Sequence, residues 1–207
     1  MGRSRAEMLR LLERFGIHDR RVLAAMARVP REEFVASADR DVAYGDHALG
    51  IGEGQTISQP YVVARMTELL ATRPEHRVLE VGTGSGYQAA VLAELVREVI
   101  SIERHASLAD AARDRLERLG YANVRVIRGD ASLGYPPEAP YDRILITAAT
   151  PKLDLALAQQ LTADGRIVAP IGDLDVQELV VRDARGREER HGAVRFVPLR
   201  GQAGFRG

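Results

Sequence analysis

Two short stretches of the chain combine residue types that could do chemistry. The first reads Leu79-Glu80-Val81-Gly82-Thr83-Gly84-Ser85-Gly86-Tyr87 and joins an apolar run to a helical pattern. Glycines at such a turn let the backbone bend tightly and let a ligand approach the peptide plane without meeting a β-carbon. Alone the pattern is weak, because tight turns use glycine for conformational reasons. Its surroundings sharpen it. Glu103 ends the next strand, 21 residues beyond Gly82, and Asp130 follows the strand after that. In a doubly wound sheet the carboxyl ends of these strands share one edge, where a carboxylate can accept both hydroxyls of a ribose. Glu80, Glu103 and Asp130 are therefore expected to converge on one crevice.

The acids select among nucleotide-like ligands. A pyrophosphate at this turn would meet Glu80 in a partly desolvated cleft, and Tyr87 stands where a dinucleotide fingerprint needs its third glycine. No phosphate-loop lysine follows the glycines. S-adenosyl-L-methionine has ribose and adenine, no phosphate, and carries an ammonium and a sulfonium, so acids suit it. The second stretch, Gly54-Gln55-Thr56-Ile57-Ser58-Gln59-Pro60, sets hydroxyl and amide side chains just before a helix. Proline in the first turn puts Ser58 and Gln59 at the cap, where unpaired backbone N–H groups favour an anion. Serine before a helix is equally an ordinary cap. Both readings stand.

The elements that must carry these stretches follow from periodicity. Met8, Leu11, Leu12 and Phe15 line one helical face, Gly16 stops the run, and Asp19 caps a second helix carrying Leu23 and Met26. Residues 1–40 thus form a helical flank. Residues 41–59 are glycine-rich without sustained period, a long ordered loop or a short irregular hairpin. Pro60 opens a helix ending near Arg73. Strands are expected at 78–81, 99–102, 124–127, 143–147, 166–171, 178–181 and 193–197. Helices are expected at 87–95, 108–119 (with a Ser107 to Asp110 capping pair) and 153–161. Strands spaced by amphipathic helices give an α/β fold, a mostly parallel, doubly wound sheet of seven strands covered on both faces, with an antiparallel hairpin at one edge. A single domain over 1–207 is expected, its core running from 60 to 207.

Composition removes several classes. With 29 basic and 29 acidic side chains the chain is neutral, so nothing pulls it over long range toward phosphate backbones or anionic lipid, and neither nucleic acid nor membrane is an expected partner. It contains no cysteine, which excludes disulfides, thiolate metal sites and cysteine nucleophiles and makes the cytoplasm the default location. Charges interrupt the first residues and no run of 18 apolar residues occurs, so neither a secretory signal nor a membrane span is expected. His18, His47, His76, His105 and His191 show no metal-binding spacing, and no metal is expected.

The run GQTISQPYVVARM, the preceding YGDHALGIGEG, the segment RVLEVGTGSGYQAA and the later VRFVPLRG together resemble the protein-L-isoaspartate O-methyltransferase family over about residues 29–199. GQTISQP is specific to that family; the glycine loop is shared by most Rossmann-like methyltransferases. The resemblance implies a Rossmann-like class I fold and transfer of a methyl group from S-adenosyl-L-methionine to the free α-carboxylate of L-isoaspartyl residues in age-damaged proteins and peptides. It puts the active-site serine at Ser58, with Gln55, Thr56 and Gln59 on the substrate side. Cofactor-binding positions fall on Glu80, Gly82, Thr83, Gly84, Ser85, Gly86, Glu103, Asp130 and Ala131. Gly50 stands where proline is common, and Ala131-Ser132 where glycine and a large aromatic residue often follow the acid. The implied nucleophile ionises near pH 3.5 and needs no general base, which casts Ser58 as a positioner. Segment 194–199 has strand character and could pair with an extended peptide, or be an ordinary sheet strand. A monomer is expected. The alternatives are a methyltransferase for another acceptor and a non-catalytic protein that binds the same cofactor.

Overall fold

A computed structural model describes residues 2–205; Met1, Arg206 and Gly207, the ends of the expected 1–207 unit, lie outside the described residues. The chain opens with α1 (Arg5–Arg14) and α2 (Arg20–Arg28), capped by Ser4 and Asp19. Two 3₁₀ turns, Arg31–Phe34 and Ser37–Val42, lead into a hairpin of β1 (Leu49–Gly52) and β2 (Gln55–Ile57). The hairpin reading of 41–59 is thus the one realised. At its tip Gly52, Glu53 and Gly54 all have positive φ, a conformation in which two glycines out of three spare the chain most of the cost.

After α3 (Pro60–Leu70) the chain alternates: β3 (Arg77–Val81), α4 (Tyr87–Ala93), β4 (Glu98–Glu103), α5 (Ala106–Arg118), β5 (Val124–Arg128), β6 (Tyr141–Ile146), α6 (Leu155–Ala158), β7 (Leu161–Gly172), β8 (Gln177–Asp183) and β9 (Glu188–Val194). The seven strands β3 to β9 form one sheet in the order β5-β4-β3-β6-β7-β8-β9; β3 to β7 are parallel, β8 pairs antiparallel with β7, and β9 pairs antiparallel with β8. The interior strands are apolar on both faces, as a covered parallel sheet requires. Val78, Val99, Leu145 and Val168 pack toward the helices α1 to α5, and Leu79, Ile100, Ile144 and Ile167 form the opposite core. Edge strand β9 is largely exposed and carries Glu188, Glu189 and Arg190, charges that discourage further pairing.

Three expectations shift. The helix at 153–161 shrinks to one turn, because Asp154 caps it and the Gln160 amide, donating to the carbonyls of Leu133 and Ala156, ends it before Leu161 pairs with Tyr141. Helix α5 begins after His105, and Ser107 does not cap it. The last strand ends at Val194, not 197, and the following segment leaves the sheet. There Ala149 donates to the Val197 carbonyl at 2.8 Å and accepts from the Leu199 N–H at 2.7 Å, so part of that backbone is already paired. No helix among the described residues is long and apolar enough to cross a membrane.

Candidate active site

Strand order reverses at β3: the chain goes on to β4 and β5 on one side and to β6 and β7 on the other. The crevice outside the carboxyl end of β3 is therefore where such a sheet binds its ligand. Gly82 leaves β3 with φ 99°, and a β-carbon there would stand 2.5 Å from the Thr147 hydroxyl. That hydroxyl donates to the carbonyls of Gly82 and Val81 and staples the loop to the end of β6. Gly84 donates its N–H to Glu103 at 2.9 Å, and the other Glu103 oxygen accepts the His105 N–H at 2.9 Å. The carboxylate is fixed at the crevice with lone pairs to spare.

The crevice has two lobes that share Gln55, Gly82, Glu103 and Ala148. The first, about 590 Å³ of open space, is lined by Thr56, Ser58, Thr83, Gly84, Ser85 and Thr147 among others. The second, about 450 Å³, is lined by Asp130, Ala131 and Leu199 among others. Together they form one crevice running from Ser58 past Glu103 to Asp130, and the acid at their junction suits a ribose. Partial burial works against ionisation of Asp130, but the N–H groups of Ser132 and Gln202, each donating to one of its oxygens, hold it below the usual carboxylate range.

The β1–β2 hairpin roofs the glycine loop. A β-carbon at Gly84 would come within 3.2 Å of Ile51. The hairpin tip is tied down by Ser107, which donates to Glu53 at 2.6 Å, with His105 3.7 Å from the same carboxylate. This explains why Ser107 does not cap α5. Ser58, where β2 gives way to α3, faces the first lobe. It is not a cap: Gln59 is the N-cap residue and makes no side-chain bond, while the Tyr61 N–H is taken by Asp46 at 2.9 Å. Among the described residues the Ser58 hydroxyl has no hydrogen-bond partner.

The family model for protein-L-isoaspartate(D-aspartate) O-methyltransferase matches residues 3–204. The chain belongs to this family. It is 53% identical over 209 residues to the protein-L-isoaspartate O-methyltransferase of Methanoculleus marisnigri, covering 99% of this chain and 95% of the other. It is 52% identical to protein-L-isoaspartate O-methyltransferase 1 of Syntrophobacter fumaroxidans, covering 93% and 91%. A solved protein-L-isoaspartate O-methyltransferase superposes with a TM-score of 0.84 at 28% identity, covering 97% of this chain and 67% of the other. A Plasmodium falciparum structure bearing the family name, in complex with S-adenosyl-L-homocysteine, superposes with 0.81 at 25% identity, covering 96% and 99%. Like other protein-L-isoaspartate O-methyltransferases, this one has the Rossmann-like class I methyltransferase fold and uses S-adenosyl-L-methionine as its methyl donor.

Three of the residues singled out from the methyltransferase sequence lie away from the crevice walls. Glu80 is fully buried and lines neither lobe. It shares a sheet face with its register partner Ser101, whose hydroxyl donates to it and also meets the Thr83 hydroxyl. Burial pushes its carboxyl up to about 8, with the nearby Glu103 charge adding to the effect and the Ser101 bond opposing it. Of the three acids only Glu103 and Asp130 reach the crevice. Gly86, at φ 88°, begins α4, and a β-carbon there would press on Leu116 and Ala112 at 3.3 to 3.4 Å; it serves the packing of α4 on α5. Gln59 also lies outside both lobes. Gln55 in turn touches both, not the substrate side alone. Thr147 and Phe196 are lobe residues that motif reading passed over as site residues; the position of Thr147 at the end of a strand beside the reversal point was the available signal.

Proposed function

We propose that this chain methylates the free α-carboxylate of L-isoaspartyl residues in damaged proteins and peptides. The observation that carries the reading is Ser58, whose hydroxyl has no partner among the described residues and which lines the lobe walled by the glycine loop and Glu103. Bound S-adenosyl-L-methionine supplies an electrophilic methyl group on a sulfonium. Of the crevice residues, Glu103 would hold its ribose hydroxyls, the backbone of Gly82 to Ser85 its amino-acid portion, and Asp130 with Ala131 its base. Glu80 acts from behind, through Ser101 and Thr83.

The substrate carboxylate is ionised at neutral pH without help, since an α-carboxyl ionises near pH 3.5. What the protein must provide is alignment and a site poor in water. Ser58 donates a hydrogen bond to the carboxylate and holds one oxygen in line, and Gln55 and Thr56 on the covering hairpin shape the approach. Gln59 contributes through its place at the start of α3. On this reading the chain works as one domain over 1–207, as a monomer, in the cytoplasm, and engages neither nucleic acid nor membrane. The test is methyl transfer to one peptide containing isoaspartate beside its aspartate twin. Transfer to the first alone supports the reading, and equal transfer to both, or to neither, rejects it.

A further inference from the structure

Arg31 is fully buried, yet no carboxylate lies within ion-pair distance of it among the described residues. It stands in the 3₁₀ turn of the helical flank and reaches across it. Its Nε donates to the Ala43 carbonyl at 2.7 Å, and one Nη donates to the Ser58 carbonyl at 2.7 Å. The guanidinium carbon lies 4.7 Å from the centre of the Tyr87 ring, which belongs to the wall of the Ser58 lobe. The second Nη is buried without a hydrogen-bond partner. Arg31 itself does not line the lobe.

A guanidinium in this condition is costly to keep, because desolvation is repaid by two carbonyls, the Tyr87 side chain and the more distant charge of Asp46, with no carboxylate in direct contact. Apolar side chains of similar size would fill the space at less expense to the fold. Its charge, however, sits directly behind the peptide group of Ser58, in a medium where Coulomb attraction is screened far less than in water. An anion that arrives beside Ser58 meets that field.

We propose that Arg31 is the positioning residue for the substrate carboxylate: it fixes the Ser58 peptide by hydrogen bonding and attracts the carboxylate electrostatically from behind, without touching it. The inference rests on the carboxylate binding at Ser58, as set out above. It requires that the protein discriminate a charged from a neutral group at that place through Arg31.

The test compares an isoaspartyl peptide with its α-carboxamide analogue, which has nearly the same shape and no charge. Affinities of both are measured in the presence of S-adenosyl-L-homocysteine for the wild type, R31K and R31Q. The wild type should prefer the charged peptide by about 10-fold or more, R31Q should lose most of that preference, and R31K should keep most of it. Affinity for S-adenosyl-L-homocysteine alone should stay within about 2-fold in all three. In turnover, R31Q should raise KM for the peptide, and R31K should restore KM while leaving a deficit in kcat, because an ammonium replaces the charge but not the fork.

A merely structural role would weaken both peptides and the homocysteine ligand together, and that result overturns the proposal, as does an unchanged preference in R31Q. Should the variants fail to fold, the intact protein labelled with ¹⁵N-arginine gives the answer. The protected Arg31 Nε–H resonance should shift when isoaspartyl peptide joins the homocysteine complex and shift less with the carboxamide; equal shifts or none contradict the proposal. If wild type shows no methyl transfer to isoaspartyl peptide, the functional reading fails instead; normal wild-type transfer with unaltered R31Q discrimination sinks only the role of Arg31.

Discussion

The Asp46 carboxylate accepts the backbone N–H of Tyr61 at 2.9 Å, so the first turn of α3 is capped from a loop well upstream and Ser58 is left out of that task. The two residues should therefore part company on mutation. D46A should cost about 1 kcal/mol of stability, the usual loss of a capping side chain, while S58A should change it by less than about 0.5 kcal/mol. Urea unfolding of the two variants checks this, and equal losses would mean that Ser58 does cap.

Turnover should separate them in the opposite sense. S58A should lose about 10-fold or more in kcat on isoaspartyl peptide, since a misaligned carboxylate forfeits the benefit of orientation. Its affinity for the methyl donor should be unchanged. Steady-state kinetics with a parallel calorimetric titration of the donor distinguish this from general damage; a variant with full turnover rejects the positioning role.

Glu103 is tied to both Gly84 and His105, and it stands where the two lobes of the crevice meet. E103Q replaces acceptor-only oxygens with an amide that must turn a donor toward one of these N–H groups or toward the ligand. Affinity for S-adenosyl-L-homocysteine should fall by about 10- to 100-fold, the scale of one or two unsatisfied hydrogen bonds to a charged group. Calorimetry measures it. D130N should have the smaller effect, because Asp130 borders the second lobe alone, whereas Glu103 stands where both lobes meet.

Glu80 gives the chain a pH dependence of known sign. Its carboxyl is raised by burial from an ordinary 4.5 to about 8 in the folded protein. Between these values the folded state holds a proton that the unfolded state has released, so stability falls as pH rises from about 4.5 to about 8 and levels off above. E80Q, which has no proton to lose, should not share this slope. Urea midpoints of both proteins across the window test it; parallel curves would show that Glu80 is not protonated in the fold.

Most of the scaffold was legible because it rests on local patterns. The runs at 78–81 and 99–102 are apolar save for Glu80 and Ser101 and become the paired interior strands β3 and β4, and Pro60 and Gly120 punctuate helices where they stand. The misplaced pieces depend on partners distant in sequence. Gln160 cuts short α6 by bonding to Leu133, and Ser107 abandons its helix for Glu53. In the site, spacing brought Glu103 and Ser58 to the same cavity, but it could not say which way Glu80 points on its strand. That depends on its pairing with Ser101. Nor could spacing reveal Arg31, whose meaning lies in contacts with Ala43, Ser58 and Tyr87 that only the fold assembles.

The most direct measurement is a crystal structure of the protein with S-adenosyl-L-homocysteine and an isoaspartyl peptide together. The Ser58 Oγ should lie within about 2.6 to 3.2 Å of one oxygen of the peptide α-carboxylate, with that carboxylate directed at the homocysteine sulfur. A carboxylate seated elsewhere, with the Ser58 hydroxyl turned to another partner, would contradict the account.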